Sequence, residues 1–286
     1  MATERIYILG ATGNVGSNVV HELTKSGAQV TAYTRSPQKI QNANVSIIKG
    51  GFDDLNPFKE SISGHTRLFL VVPDEASENM AETKTNLCQI AYDAGVKQVV
   101  DLSVQSTPWR HFAFLLPHQE AEHAIFKLKR PKNSYVSLRP SNFMTNLLFS
   151  LDTIKRQSAI FEVTGPNERQ EWISPRDIGT IAARILLDPV EKHGDAGYEL
   201  VGDIVTPMER ADIFTKVLGR PVTYSEVPAQ EYYDRLIKNG IKHAMAYCMV
   251  TYQVASPAVT RGLPVLLGRS PESIETWIVN NKEAFA

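Results

Sequence analysis

Gly10, Gly13 and Gly16 follow directly on the apolar run Ile6–Leu9 and open an amphipathic stretch. Glycines at this spacing serve a backbone that must turn tightly and approach an anion closely. A strand, a glycine-rich turn and a helix in that order form a cradle for a dinucleotide diphosphate, with the first N–H groups of the helix facing the phosphate oxygens. Thr12, Asn14 and Val15 fill the remaining positions of the turn. Val15, Val19, Val20 and Leu23 recur at helical spacing behind it, and Gly27 closes that helix.

The next chemistry-bearing stretch is Thr34-Arg35-Ser36-Pro37-Gln38-Lys39, at the end of a second strand expected over Gln29–Thr34. A fold that prefers the unphosphorylated coenzyme usually carries Asp or Glu there, on the ribose hydroxyls. This stretch has no acid. A carboxylate would repel a 2′-phosphate, whereas the Arg35 guanidinium can take it through paired hydrogen bonds, with Lys39 as a second cation. The residues therefore predict NADP(H) as the cofactor. The plainer alternative is a solvated pair of surface cations.

The elements needed to hold these residues are legible in the pattern. Short apolar strands are expected at Val45–Lys49, Arg67–Val72, Lys97–Leu102 and Ser134–Leu138. They alternate with helices beginning near Asp54, spanning Glu75–Ala94 and lying around His118–Lys129. This alternation predicts an α/β, Rossmann-type, doubly wound parallel sheet. Beyond Pro140 the pattern changes. Leu147–Ile154 reads as helix, Phe161–Pro166 as strand and turn, and Tyr198–Val201 as a returning strand of the main sheet. After Gly202 two helical blocks flank a strand at Val222–Val227. The expected organisation is a dinucleotide-binding domain of 1–150 plus about 177–203, and a smaller, mostly helical substrate lobe of 151–176 plus 204–286.

Bulk properties bound the function. A chain of 286 residues with 43% hydrophobic content can bury a substantial core. A net charge of −1 offers no basic field for nucleic acid. Cys88 and Cys248 lie far apart and suggest neither a disulfide framework nor a zinc site, and no histidine spacing suggests a metal. No apolar run is long enough for a membrane span or a secretory signal, so the expected location is the cytoplasm. Either a monomer or a homodimer is compatible with the surface helices.

Taken together, Gly10–Gly16, Thr34-Arg35-Ser36 with Lys39, Gly51-Phe52-Asp53, His118-Gln-Glu-Ala-Glu122, Leu138–Met144, Trp172–Asp177, Leu218–Val222 and Leu267–Pro271 resemble the NmrA-like branch of the atypical short-chain dehydrogenase/reductase family, over essentially the whole chain. The branch includes reductases of quinones, dyes and small metabolites, and proteins that bind the cofactor to report redox state. The resemblance implies that Gly10, Thr12, Gly13, Asn14, Val15 and Gly16 line the diphosphate. It places Arg35 and Lys39 at the 2′-phosphate, Phe52 and Asp53 beside adenine, Val72 and Pro73 beside the adenine-side ribose, and Asn142 and Phe143 beside the nicotinamide. Phe52 reads equally well as a core aromatic, and Asp53 as a cap for the helix that follows.

The wider family's acid is a Tyr with a Lys four residues on, and none of the 10 tyrosines here meets that test. Tyr135 has Arg139 at that distance and lies in a predicted strand. The resemblance puts His118 where many relatives carry the Lys, with Glu122 one helical turn later. Imidazole is a proton donor near neutral pH, and a carboxylate beside it would strengthen its hold on the proton. His118 is thus the candidate acid, or else a helix-start residue touching the ribose or water; Glu122 is its partner or an anchor of the helix. Ser103, ending the fifth strand, would bond a substrate oxygen or satisfy a strand-end backbone group.

The aromatic-rich run Trp109–Pro117 suggests a wall for a flat apolar substrate, with Trp109 and Phe112 as candidates there. Phe149, Trp172, Tyr247 and Tyr252 are candidates from the other lobe, each open to the plainer reading of core packing. Two functions follow. One is NADPH-dependent hydride transfer to a small apolar electrophile of quinone, enone or imine type. The alternative is an NADP(H)-binding redox sensor without catalysis.

Overall fold

The computed structural model describes residues 4–73, 79–105, 115–128, 133–252, 254 and 256–286. The chain opens with β1 (Arg5–Leu9), whose Ile6, Tyr7, Ile8 and Leu9 are fully buried. A run apolar on both faces suits a strand covered by helices on both sides. The chain continues through α1 (Gly16–Lys25), β2 (Gln29–Thr34), β3 (Val45–Lys49), α2 (Asn56–Ser61), β4 (Arg67–Leu70), α3 (Met80–Asp93), β5 (Gln98–Leu102), α4 (Leu116–Phe126) and β6 (Ser134–Pro140). It then leaves the sheet for β7 (Asn142–Phe143), α5 (Leu151–Gln157), β8 (Ala159–Glu162) and β9 (Gln170–Ile173), and returns with α6 (Pro175–Leu187), α7 (Val190–His193) and β10 (Gly197–Leu200). The rest comprises β11 (Asp203–Val205), α8 (Pro207–Leu218), β12 (Thr223–Glu226), α9 (Ala229–Lys238), α10 (His243–Thr251), α11 (Leu263–Leu267), α12 (Ile274–Asn280) and α13 (Lys282–Phe285).

The main sheet has seven strands in the order β10-β6-β5-β4-β1-β2-β3. Strands β3-β2-β1-β4-β5-β6 run parallel, with Ile8 of β1 opposite Ala32 on one side and Phe69 on the other. The chain winds outward from β1 to β3, then crosses back to β4 and winds the other way. The switch point lies between β1 and β4, and ligands of such sheets bind beyond the carboxyl ends of the strands there. Because the strands are parallel, Gly10–Gly16, Arg35, Val71–Pro73 and Ser103 all emerge at that same edge. Helix α1 lies against α6 at Gly179, where a Cβ would stand 2.5 Å from the Asn18 Cβ.

Contacts divide the chain into two units. The first is Met1–His111, Leu115–Pro140 and Pro175–Glu199, with a core that includes Tyr7, Leu9, Tyr33, Phe58, Leu87 and Tyr135. The second is Phe112–Phe114, Ser141–Ser174 and Leu200–Ala286, with a core around Met144, Trp172, Phe214 and Trp277. Residues 141–150 group with the second unit because the chain leaves the ladder after Pro140. This unit is rich in helix but also holds two small sheets, β11-β9-β7 and β12-β8.

Some boundaries move. The fourth strand stops at Leu70, so Val71–Pro73 leave the ladder at the ligand edge. The helix expected to end at Lys129 ends at Phe126. The predicted start of the preceding helix, near Glu75, lies outside the described residues.

Candidate functional site

Two glycines of the turn are sterically required. Gly10 has φ +66°, and a Cβ on it would lie 2.2 Å from Val71 Cγ1. A Cβ on Gly16 would lie 2.1 Å from the Gly10 carbonyl oxygen, which accepts a hydrogen bond from the Gly13 N–H at 2.9 Å. The turn is therefore pressed against its own first residue and against Val71. The first turn of α1 carries no acid, and Val15, its cap, offers no side-chain hydrogen bond. The positive end of α1 is thus left uncapped by side chains, in the arrangement that receives a phosphate group. Thr12 is half-buried, and Gly13 and Asn14 are exposed. This turn fits a dinucleotide diphosphate.

Thr34 ties that turn to the next loop. Its hydroxyl lies 3.3 Å from the Thr12 hydroxyl and accepts from the Ser36 N–H at 3.0 Å. Between these contacts stands Arg35, exposed, its stem 3.5 Å from where a Cβ of Gly51 would be. Lys39, also exposed, follows in a single 3-10 turn, Pro37–Lys39. Among the described residues neither cation is in an ion pair. Phe52 is half-buried and packs against the core of the first unit, while Asp53 is exposed. The helix that follows takes its side-chain hydrogen bond from the neighbouring Asp54, whose Oδ1 accepts from Asn56 N–H at 2.9 Å, so Asp53 is not that cap. Val72 is buried and Pro73 half-buried beyond β4.

Behind the carboxyl ends of β5 and β6 lies a buried polar cluster. His118, Glu122 and Ser103 are 7%, 7% and 5% exposed. Glu122 does not serve His118. Its Oε1 accepts from Ser103 Oγ at 2.5 Å and from Ser137 Oγ at 2.6 Å, and both its oxygens accept from Arg139, whose Nε is 3.1 Å from each. Burial pushes this carboxyl up, but the hydrogen bonds from Arg139, Ser103 and Ser137 together outweigh burial and hold it below the usual carboxylate range. Of the two readings of Glu122, its hydrogen bonds favour the helix anchor over the partner of His118. Residues one turn apart share a helix face, yet the carboxylate tip goes to the guanidinium, which offers it charge-assisted bonds. Ser103 is likewise committed as a donor to Glu122.

His118 meets a different group. Its Nδ1 lies 3.5 Å from Lys84 Nζ on α3. Lys84 is fully buried, and its ammonium donates to Asp101 Oδ1 at 2.7 Å and to the Leu102 carbonyl at 2.9 Å. The other Asp101 oxygen accepts from the Tyr135 hydroxyl at 2.7 Å. Burial first, then the Asp101 charge, push the Tyr135 phenol well above its ordinary value, so it stays a donor.

The substrate candidates scatter. Trp109 and Phe112 lie outside the described residues. Trp172 is 5% exposed in the core of the second unit with the Arg210 guanidinium 5.0 Å over its ring, so it is committed to packing and is withdrawn as a substrate contact. Phe149 and Tyr247 are 74% and 55% exposed, and Tyr252 is half-buried after α10. Asn142 and Phe143 are half-buried in β7, paired with Trp172 and Ile173. Among the described residues no group of His, Cys, Asp or Glu is placed to hold a metal, and no helix is long and apolar enough to cross a membrane.

A family model described as the NmrA-like family matches residues 2–258. The chain belongs to the NmrA-like family. It is similar to an NAD(P)H azoreductase of Xenophilus azovorans, 24% identical, with 98% of this chain and 99% of the relative covered. Its fold is similar to that of the Citrobacter sp. triphenylmethane reductase complexed with NADP(H), at TM-score 0.83 and 22% identity over 96% of this chain and 99% of that one. It is also similar to NmrA, a negative transcriptional regulator, in complex with NADP, at TM-score 0.79 and 16% identity over 98% and 95% of the two chains. The proteins it resembles thus include named reductases and a named regulator, two of them solved with a nicotinamide coenzyme.

Four residues of the NmrA-like chain's buried cluster escaped the sequence reading. Lys84 occupies the inward stripe Met80, Lys84, Leu87, Cys88 and Ala91 of α3. Asp101 interrupts the apolar run of β5. A charged residue at an apolar position is the signal that marks such a pair. Arg139 and Ser137 alternate with apolar residues along β6, a pattern that an exposed strand face also gives.

Proposed function

We propose that this chain is an NADPH-dependent reductase that delivers a hydride to a small, flat, apolar electrophile of quinone, enone or imine type. The observation carrying the coenzyme choice is Arg35: exposed, without an ion pair among the described residues, at an acid-free strand end, and tied through Thr34 to the glycine turn. Gly10, Thr12, Gly13, Asn14, Val15 and Gly16 bind the diphosphate, Arg35 and Lys39 the 2′-phosphate, and Phe52, Asp53, Val72 and Pro73 the adenosine side. Asn142 and Phe143 are the candidates for the nicotinamide, and Phe149 and Tyr247 for the substrate. A bound nicotinamide supplies the hydride. His118 supplies a hydrogen-bond donor for the reduced product, while Glu122 and Ser103 hold α4 to β5 and β6. The dye-reductase names of two relatives support a flat aromatic acceptor.

The test is NADPH oxidation across quinones, enones, imines and azo dyes, with the wild type and His118→Ala. Turnover with at least one class, reduced about 10-fold or more by His118→Ala, is the expected result. The absence of a Tyr–Lys pair favours a second reading, a cofactor-reporting protein. Silence across the panel together with a nucleotide-dependent protein partner would establish it instead.

A further inference from the structure

We propose that Lys84 is a positioning residue that fixes the tautomer of His118, and that it completes the proposed reductase site in the absence of the Tyr–Lys pair. An ammonium has three N–H donors and no lone pair. Two of those on Lys84 go to Asp101 Oδ1 and the Leu102 carbonyl, at 2.7 and 2.9 Å. The third lies toward His118 Nδ1 at 3.5 Å. A donor-only neighbour is compatible only with an Nδ1 that accepts, so the ring proton resides on Nε2. The donor that His118 offers to the site is then Nε2–H.

The arrangement is built from the core outward. The Tyr135 hydroxyl donates to Asp101, Asp101 accepts from Lys84, and Lys84 donates to His118, across β6, β5, α3 and α4. Lys84 and Asp101 are both fully buried, so neither side chain can swing to solvent. A buried ion pair of this kind is often no more stabilising than well-packed apolar groups of similar volume, which leaves room for a functional reason for this lysine. The Nε2 tautomer assignment stands independently of the reductase reading, while its kinetic consequence rests on that reading.

The experiment is a long-range ¹H–¹⁵N spectrum of the full-length protein labelled at histidine, with His118 assigned by difference from His118→Gln. The wild type is expected to show an unprotonated, pyridine-like Nδ1 and a protonated, pyrrole-like Nε2. Lys84→Arg, which keeps a donor-only cation, is expected to preserve that pattern. The triple variant Lys84→Met/Asp101→Leu/Tyr135→Phe removes the buried charges together, so no lone charge is stranded, and is expected to show averaged tautomers. Its kcat falls about 10-fold or more with the KM for NADPH unchanged, and Lys84→Arg restores part of the loss. A protonated Nδ1 in the wild type overturns the assignment, and an unchanged spectrum in the triple variant overturns the role given to Lys84. If the triple variant does not fold, the wild-type spectrum still decides. Turnover unaffected by His118→Ala removes the donor reading under Proposed function and leaves the tautomer result intact.

Discussion

At the scale of single residues, Glu122 is where charge and stability are most tightly linked. Its folded-state carboxyl is held below the ordinary range by Arg139, Ser103 and Ser137 against the opposing effect of burial. A depressed carboxylate contributes stability that is complete above its unfolded value, near 4.3 for a model Glu, and that is lost as pH falls through the folded value. Urea midpoints of the wild type should therefore decline on acidification below about pH 4–5, and Glu122→Gln should flatten that decline. Midpoints with the same acid slope in both proteins would show the carboxylate uncoupled from folding. Arg139→Met strands the buried Glu122 charge and is expected to cost roughly 3 kcal/mol at neutral pH, measured by the same denaturation. Ser103→Ala, which removes one of several donors to Glu122, should cost about 1 kcal/mol.

At the scale of elements, the glycine turn and α1 form one steric unit. Gly16→Ala puts a methyl carbon 2.1 Å from the Gly10 carbonyl oxygen, a backbone atom that yields only if the turn opens. The variant is expected to lose nucleotide affinity by 10-fold or more at least as clearly as it loses stability, read by titration beside a melting curve. Retained affinity would mean that the turn does not hold the diphosphate. The same elements show why much of the fold was legible. The β2 and β3 spans match their expected bounds because β-branched and aromatic residues mark them: β2 is buried from Val30 to Thr34, while β3, at the sheet edge, is largely exposed but still carries Val45, Ile47 and Ile48. The cofactor loop was legible because glycines leave a pattern. The cluster beneath His118 was not, because its members come from α3, α4, β5 and β6, and no local spacing links Lys84 to Asp101 or Arg139 to Glu122. The His118–Glu122 spacing was real, but it did not foresee that Arg139, on another strand, would take the carboxylate.

At the scale of the whole molecule, ligand linkage is the prediction. NADPH at 100 times its Kd should stabilise the nucleotide-binding unit by about 2.7 kcal/mol. Hydrogen exchange should slow at the turn from Gly10 to Gly16 and in the stretch from Arg35 to Lys39, with the reduced coenzyme alone and no substrate. Exchange that slows only in the segments of the second unit, Ser141–Ser174 and Leu200–Ala286, would place the binding elsewhere. The most direct measurement is calorimetric titration of the wild type and Arg35→Ala with NADPH and with NADH. The account predicts that the wild type prefers NADPH, and that Arg35→Ala loses roughly 1.5–3 kcal/mol, about 10- to 100-fold, for NADPH while its affinity for NADH stays near the wild-type value. Equal affinities for the two coenzymes in the wild type, or an Arg35→Ala variant that binds NADPH as tightly as before, would contradict it.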